Sequence, residues 1–129
     1  MGRVPIIKIG DTLIATVQED LHDRDALDLQ ADVSQALERT GARGVLLDLT
    51  VVEIIDSFLG RTIADIARLV RLLGARTVVV GIQPSVAITL VELGLELRGV
   101  PAALNVEQGL GLLRRLNGRE ARNERRRLV

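Results

Sequence analysis

The chain contains no cysteine, which excludes disulfides, thiolate ligands and cysteine chemistry at the outset. A single histidine, His22, leaves little from which to build a transition-metal centre, and no cofactor is implied. Aromatic residues are nearly absent: Phe58 stands alone, without tryptophan or tyrosine. Single-stranded nucleic acids are held on stacking aromatics, and a formal net charge of zero offers no attraction to phosphate backbones or acidic membranes. Nucleic acid and membrane are therefore not expected partners. Lysine is just as scarce. Of 17 basic residues Lys8 is the only lysine, so any mechanism that needs one must use it.

Long apolar runs are missing too. The longest stretch without a charge, Thr77 to Val91, contains Gly81, Gln83 and Pro84. It falls short of the roughly 18 residues that a membrane span requires. Met1-Gly2-Arg3-Val4-Pro5 shows no signal-peptide pattern, and the expectation is a soluble cytoplasmic protein. What is present suits one globular domain: 129 residues, 47% apolar, enough to bury a core and too many to stay disordered.

The pattern along the chain reads β-β-α-β-α-β-α-β-α. Pro5 to Ile9 is extended, Gly10-Asp11 supplies a turn, and Thr12 to Val17 is β-branched and apolar, which predicts an N-terminal hairpin. A first helix is expected from an N-cap at Asp23 to Thr40, stopped by Gly41. Its buried stripe is Ala26, Leu29, Val33, Ala36 and Leu37. Val45 to Leu49 is a strand apolar enough to be covered on both faces. A second helix is expected from Phe58 to Leu73, with Leu59, Ile63, Ile66, Val70 and Leu73 inward and Gly74 ending it. Thr77 to Ile82 predicts another buried strand and Pro84 to Leu93 a third helix. Ala102 to Val106 predicts a last short strand, and Glu107 to Leu116 a last helix loosened by Gly109 and Gly111.

These crossovers imply an α/β fold, with a mixed, largely parallel sheet and about four helices. Residues 1–116 make the domain. Residues 117–129, with five arginines and two glutamates, form an arginine-rich C-terminal tail that frays or extends the helix into solvent. Binding an acidic partner is one use for such a tail.

Enzyme readings fail for lack of parts. His22 sits beside Asp20, Asp23 and Asp25 where a helix begins, as a solvated residue of the cap region would. There is no Gly-x-Ser-x-Gly elbow and no phosphate loop, and the carboxylates are scattered over helix faces. Asp48, near the end of a strand, looks like the phosphoacceptor of a response-regulator receiver domain. That chemistry also needs an early acidic pair and a late lysine. Only Asp11 is available early, and no lysine follows Lys8. Asp48 is therefore expected to bond to the neighbouring loop.

Ser57 is different. It follows a buried strand and opens an amphipathic helix, where the positive end of the helix dipole favours an added phosphate. A serine in this place can simply be a helix cap. Asp56, however, can take the cap and leave the Ser57 hydroxyl free. Around it stand Val51, Val52, Ile54, Ile55, Phe58 and Leu59, more apolar residues than a surface loop usually carries, as a docking face requires. Arg61, one turn on, can pair with a phosphate or with a partner. The third helix is also unusual. Ser85 to Val91 is apolar nearly all round, so it is either deeply buried or packed on another subunit, and self-association is expected. Thr89 within it reads as a helix threonine bonded back to its own backbone, or as a second phosphosite.

These residues match a known pattern. Leu47-Asp48-Leu49-Thr50 followed by Ile55-Asp56-Ser57, in this order of elements, resembles the STAS domain of bacterial anti-sigma-factor antagonists over residues 4–116. The segment from Gly81-Ile82-Gln83-Pro84-Ser85 to Leu93-Gly94, with Asp56-Ser57-Phe58, is similar to the RsbS branch of that family, the single-domain stressosome scaffolds. The resemblance implies a STAS-like single domain with no catalytic activity. It implies that Ser57 is phosphorylated by a switch serine/threonine kinase. The unphosphorylated scaffold then holds that kinase in an assembly with RsbR-type STAS proteins, and stress-stimulated phosphorylation releases it into a signalling cascade. Partner contacts are expected at Asp56, Phe58, Leu59, Gly60 and Arg61. Simple antagonists usually read Asp-Ser-Ser-Gly-Leu-Gly. Here a bulky Phe58 and a displaced Gly60 favour the scaffold over the alternative, a stand-alone antagonist that binds an anti-sigma kinase directly.

Overall fold

Two kinds of connection decide the sheet. A two-residue turn can only return a strand antiparallel, whereas a helical crossover lets the next strand run parallel. The computed structural model describes residues 4–18, 21–95, 97 and 99–128. Met1-Gly2-Arg3 and the Asp20 beside His22 lie outside them. The elements are β1 (Ile6–Ile9), β2 (Thr12–Thr16), α1 (Asp23–Thr40), β3 (Gly44–Asp48), α2 (Ser57–Leu72), β4 (Arg76–Val80), α3 (Pro84–Glu92), β5 (Ala102–Ala103) and α4 (Val106–Leu128). The five strands lie side by side in chain order. β1 and β2 form the antiparallel hairpin, and every later neighbour is parallel. The order and type of the elements are those read from the sequence.

Both faces of this sheet are covered, which explains the unbroken apolar runs of β3 and β4. On one face Leu13, Ala15, Val45, Leu47 and Val79 pack with the inner stripes of α1, α2 and α3. On the other, Ile14, Leu46, Val78 and Val80 pack under Leu113 of α4. The stripe of α1 is buried as expected: Ala26, Leu29, Val33, Ala36 and Leu37. Each fully buried leucine or isoleucine contributes about 1.5–3 kcal/mol, so these two layers dominate stability. Thr16, Asp48 and Val80 stand in register, so β2, β3 and β4 end at one level. The loops that leave them emerge together.

Several boundaries differ from the sequence reading. The N-cap of α1 is His22, and Asp23 is already helical. The His22 N–H donates to Asp25 Oδ2 (3.2 Å), an acid three residues on reaching back to the cap. Leu73 lies beyond the end of α2 and is half exposed, outside the buried stripe. β5 is two residues long, because only Val79 and Val80 of β4 pair with it. α4 continues unbroken through the arginine-rich segment to Leu128, which decides between the two forms open for the tail. The tail is a helical extension.

Gly109 also has a different role from the one expected. It does not loosen α4; it lets the helix approach the sheet. A Cβ there would sit 2.6 Å from Val80 Cγ1 and 2.8 Å from Leu46 Cδ1. Gly109→Val should therefore overpack this face and cost about 1–3 kcal/mol in a denaturant titration. Gly118→Ala, with nothing within 4 Å of the new methyl group, should be neutral or stabilising by about 0.5–1 kcal/mol.

Candidate functional site

The site grows out of the end of β3. Asp48 Oδ1 accepts the Thr50 N–H (2.9 Å) and its hydroxyl (2.5 Å), turning the chain as it leaves the strand. This is the loop bond expected of Asp48. Lys8 lies two strands away, at the level of Val45, so it cannot serve Asp48 as a receiver lysine would. Val52 and Ile55 are buried and anchor the loop; Val51 and Ile54, 46% and 79% exposed, stand outward between them. The apolar surround is thus half core and half surface.

Asp56 is the N-cap of α2. Its Oδ1 accepts the Leu59 N–H at 2.8 Å, satisfying one of the otherwise orphaned donors of the first turn. Ser57 is the first helical residue and is not part of the cap. It is half buried, and its Oγ accepts from Arg61 Nη2 at 3.3 Å, while Arg61 Nε donates to the Ser57 carbonyl at 3.3 Å. One guanidinium, one turn on, therefore spans the Ser57 hydroxyl and the Ser57 carbonyl. Arg61 is exposed and Phe58 half buried.

The remaining two expected partner residues point inward. Leu59 is buried in the core. Gly60 is buried as well; a Cβ on it would meet Leu95 Cδ1 at 2.7 Å and Leu90 Cδ2 at 3.2 Å. They seat the first turn of α2 against α3 and the segment after it. The outward set is Val51, Glu53, Ile54, Asp56, Phe58 and Arg61 around Ser57.

Sequence reasoning missed how α3 is tied to this face. Gln83 Nε2 donates to the Thr50 carbonyl (2.9 Å) and Ser85 Oγ to the Glu53 carbonyl (3.3 Å), so the loop is held near its start and at its middle from the N-terminal end of α3. The signal was available in the polar Gln83 and Ser85 around Pro84, ahead of an apolar helix. α3 is not deeply buried all round. Val86 and Leu90 are in the core, while Ile88 and Val91 are 59% and 67% exposed. Its Thr89 hydroxyl donates to the Ser85 carbonyl (2.9 Å), the back-bond expected of it.

A family model described as the STAS domain matches residues 3–108. The chain belongs to the STAS-domain family. Its structure is similar to that of RsbS from Moorella thermoacetica carrying a serine-to-glutamate substitution. The identity is 37% and the TM-score 0.80, over 89% of this chain and 97% of that one. A chain from the stressosome, described as a signal integration and transduction hub, matches at 38% identity and TM-score 0.79, over 88% and 98%. Among curated proteins, the RsbT co-antagonist protein RsbRA of Bacillus subtilis (strain 168) is 35% identical over 66 residues. These are 51% of this chain and 24% of that protein, so the matched stretch spans about a quarter of that relative's length. Among the described residues no helix is long and apolar enough to cross a membrane.

Because cap and hydroxyl belong to different residues, their substitutions should separate. Asp56→Ala should cost about 0.5–2 kcal/mol. Ser57→Ala should stay within about 0.5 kcal/mol of the parent. Thermal or denaturant unfolding of the two variants checks this.

Proposed function

We propose that this chain is a non-catalytic stressosome scaffold that sequesters a switch serine/threonine kinase and releases it when phosphorylated on Ser57. The observation that carries the reading is that the Ser57 hydroxyl takes no part in the Asp56 cap: it stands at the start of a helix, bonded to Arg61, and beside exposed Val51 and Ile54. Support comes from the similarity to RsbS along nearly the whole of that chain and from the relatedness to an RsbR protein. Both favour an oligomeric assembly with RsbR-type STAS proteins.

The chemistry belongs to the kinase. The Ser57 oxygen attacks the γ-phosphorus of ATP, the bond to ADP breaks, and the hydroxyl proton passes to the kinase's base. The product carries about −1.5 to −2 charges beside Asp56 and Glu53. On the unphosphorylated face an apolar or acidic kinase surface can settle against Val51, Ile54 and Phe58. After phosphorylation it meets a concentration of negative charge. The N-terminus of α2 and Arg61 stabilise the same charge from the inside, so the domain stays folded while the partner leaves.

Intact-mass measurement and peptide mapping after incubation with ATP and the switch kinase, with and without an RsbR-type protein, test the reading. One phosphate, on Ser57, is expected; none, or one elsewhere, would reduce Ser57 to a structural residue. A stand-alone antagonist would bind its kinase equally well without the RsbR-type protein, so the two arms separate the alternatives. Ser57→Asp should weaken kinase binding several-fold in a pull-down or titration, because it supplies part of the phosphate's charge; unchanged affinity would count against the electrostatic mechanism. Arg61→Gln should raise the second pKa of phosphorylated Ser57, read by phosphorus NMR titration, because the cation that favours the dianion is gone.

A further inference from the structure

The zero net charge hides a division. Residues 106–129 carry seven arginines against three glutamates, a balance of +4, while residues 1–105 carry ten basic and fourteen acidic residues, a balance of −4. On α4 the arginines are ordered. Arg115, Arg119, Arg122 and Arg126 recur at i, i+4, i+7 and i+11, which puts them in one stripe about 16 Å long, and all four are exposed. The packing side of the helix is elsewhere, at Gly109 and Leu113. Asn117, whose Nδ2 donates to the Arg43 carbonyl (3.4 Å), is half buried; every described side chain beyond it is exposed. Between Gly118 and Arg127 only Ala121 is apolar, so this part of the helix has no face to insert into a lipid surface.

The complement of that stripe lies on α1. Asp25, Asp28 and Asp32 recur at i, i+3 and i+7, and the first ten residues of the helix carry four aspartates against one arginine. Going up α1 the gaps are three and then four. Going down α4 from Arg122 through Arg119 to Arg115 they are the same. Two helices laid antiparallel in this register bring Asp25 opposite Arg122, Asp28 opposite Arg119 and Asp32 opposite Arg115. Within one chain they cannot meet. α1 packs on one face of the sheet and α4 on the other.

We propose that the arginine stripe of α4 docks antiparallel along the aspartate stripe of α1 in a second copy of this chain. Asp28 and Asp32 already take part in interactions within their own chain. An ionised carboxylate has about four acceptor sites, so a guanidinium from outside adds to those interactions. The planar, permanently charged fork of arginine suits a row of carboxylates better than lysine would. Each copy carries both stripes, so the contact repeats with every subunit added. Asp25, Asp28 and Asp32 are half buried and the arginines exposed. Ion pairs at such a surface are individually weak and screened by salt, which makes the contact cumulative and sensitive to ionic strength.

The test uses the full chain in sedimentation velocity at about 50 mM and about 500 mM salt. Two double variants are compared with the parent, Arg115→Glu with Arg119→Glu, and Asp28→Arg with Asp32→Arg. Circular dichroism checks that each retains its helices. Should one fail to fold, the neutral pairs Arg115→Gln with Arg119→Gln and Asp28→Asn with Asp32→Asn replace them. The parent should associate at low salt and lose that association at high salt. Each charge-reversed variant alone should associate about tenfold more weakly, and the equimolar mixture should recover, because the reversed arm of one meets the reversed helix of the other. For the neutral pairs, weakening of both is the expected result. The proposal is overturned if the parent shows no salt-sensitive association, if the variants associate like the parent, or if mixing charge-reversed variants restores nothing. It is equally overturned if the arginine variant loses only binding to a duplex DNA probe. None of these outcomes depends on phosphorylation of Ser57.

Discussion

The parallel pairing of β2, β3 and β4 is the constraint on which the rest of the molecule depends. Their register ends all three strands at one level, and the sheet is buried on both faces. Slipping one strand by a single residue would exchange its two faces and set every apolar side chain against the wrong helix layer, so this register is held by close packing on both sides. The loop after β3 and the turn after β4 must therefore leave side by side. α2 begins next to α3, and Gln83 and Ser85 can reach the loop carbonyls across that short gap. The position of Ser57 is a consequence of sheet geometry, reached through a few hydrogen bonds.

Much of this was legible in the sequence because the strongest patterns are periodic. The five-residue stripe of α1, the double-sided strands and the glycine stops each rest on local rules that the tertiary structure obeys. The assignment of the cap to Asp56, with the Ser57 hydroxyl left out of it, was legible for the same reason, since capping is settled within one helical turn. Long-range packing was not. Gly60 read as a partner contact and Gly109 as a loosening of its helix, and only the approach of Leu95, Val80 and Leu46 reveals them as points of internal packing. The two sides of α3, one in the core and one open, could not be separated while every residue on them was apolar. Leu59 was read twice, as part of the inward stripe of α2 and as a docking contact, and the structure keeps the first of these.

Continuing α4 past the sheet changes how the molecule presents itself. The STAS match stops at residue 108, yet the helix runs on to Leu128 without a break. A segment attached through a flexible linker would sample a wide volume around its domain. This one is directed by the same packing that fixes Leu113, so its orientation is inherited from the core.

The separation of the Asp56 cap from the Ser57 hydroxyl reaches beyond binding. A protein whose modifiable residue also held its helix together would become easier to open locally once modified, and cellular proteases act on open forms. Here the cap bond is untouched by chemistry on the neighbouring oxygen. Under the proposed phosphorylation of Ser57, the modified and unmodified pools should then be degraded at the same rate. Their ratio would report only on the enzymes that write and erase the mark, with turnover adding no bias of its own.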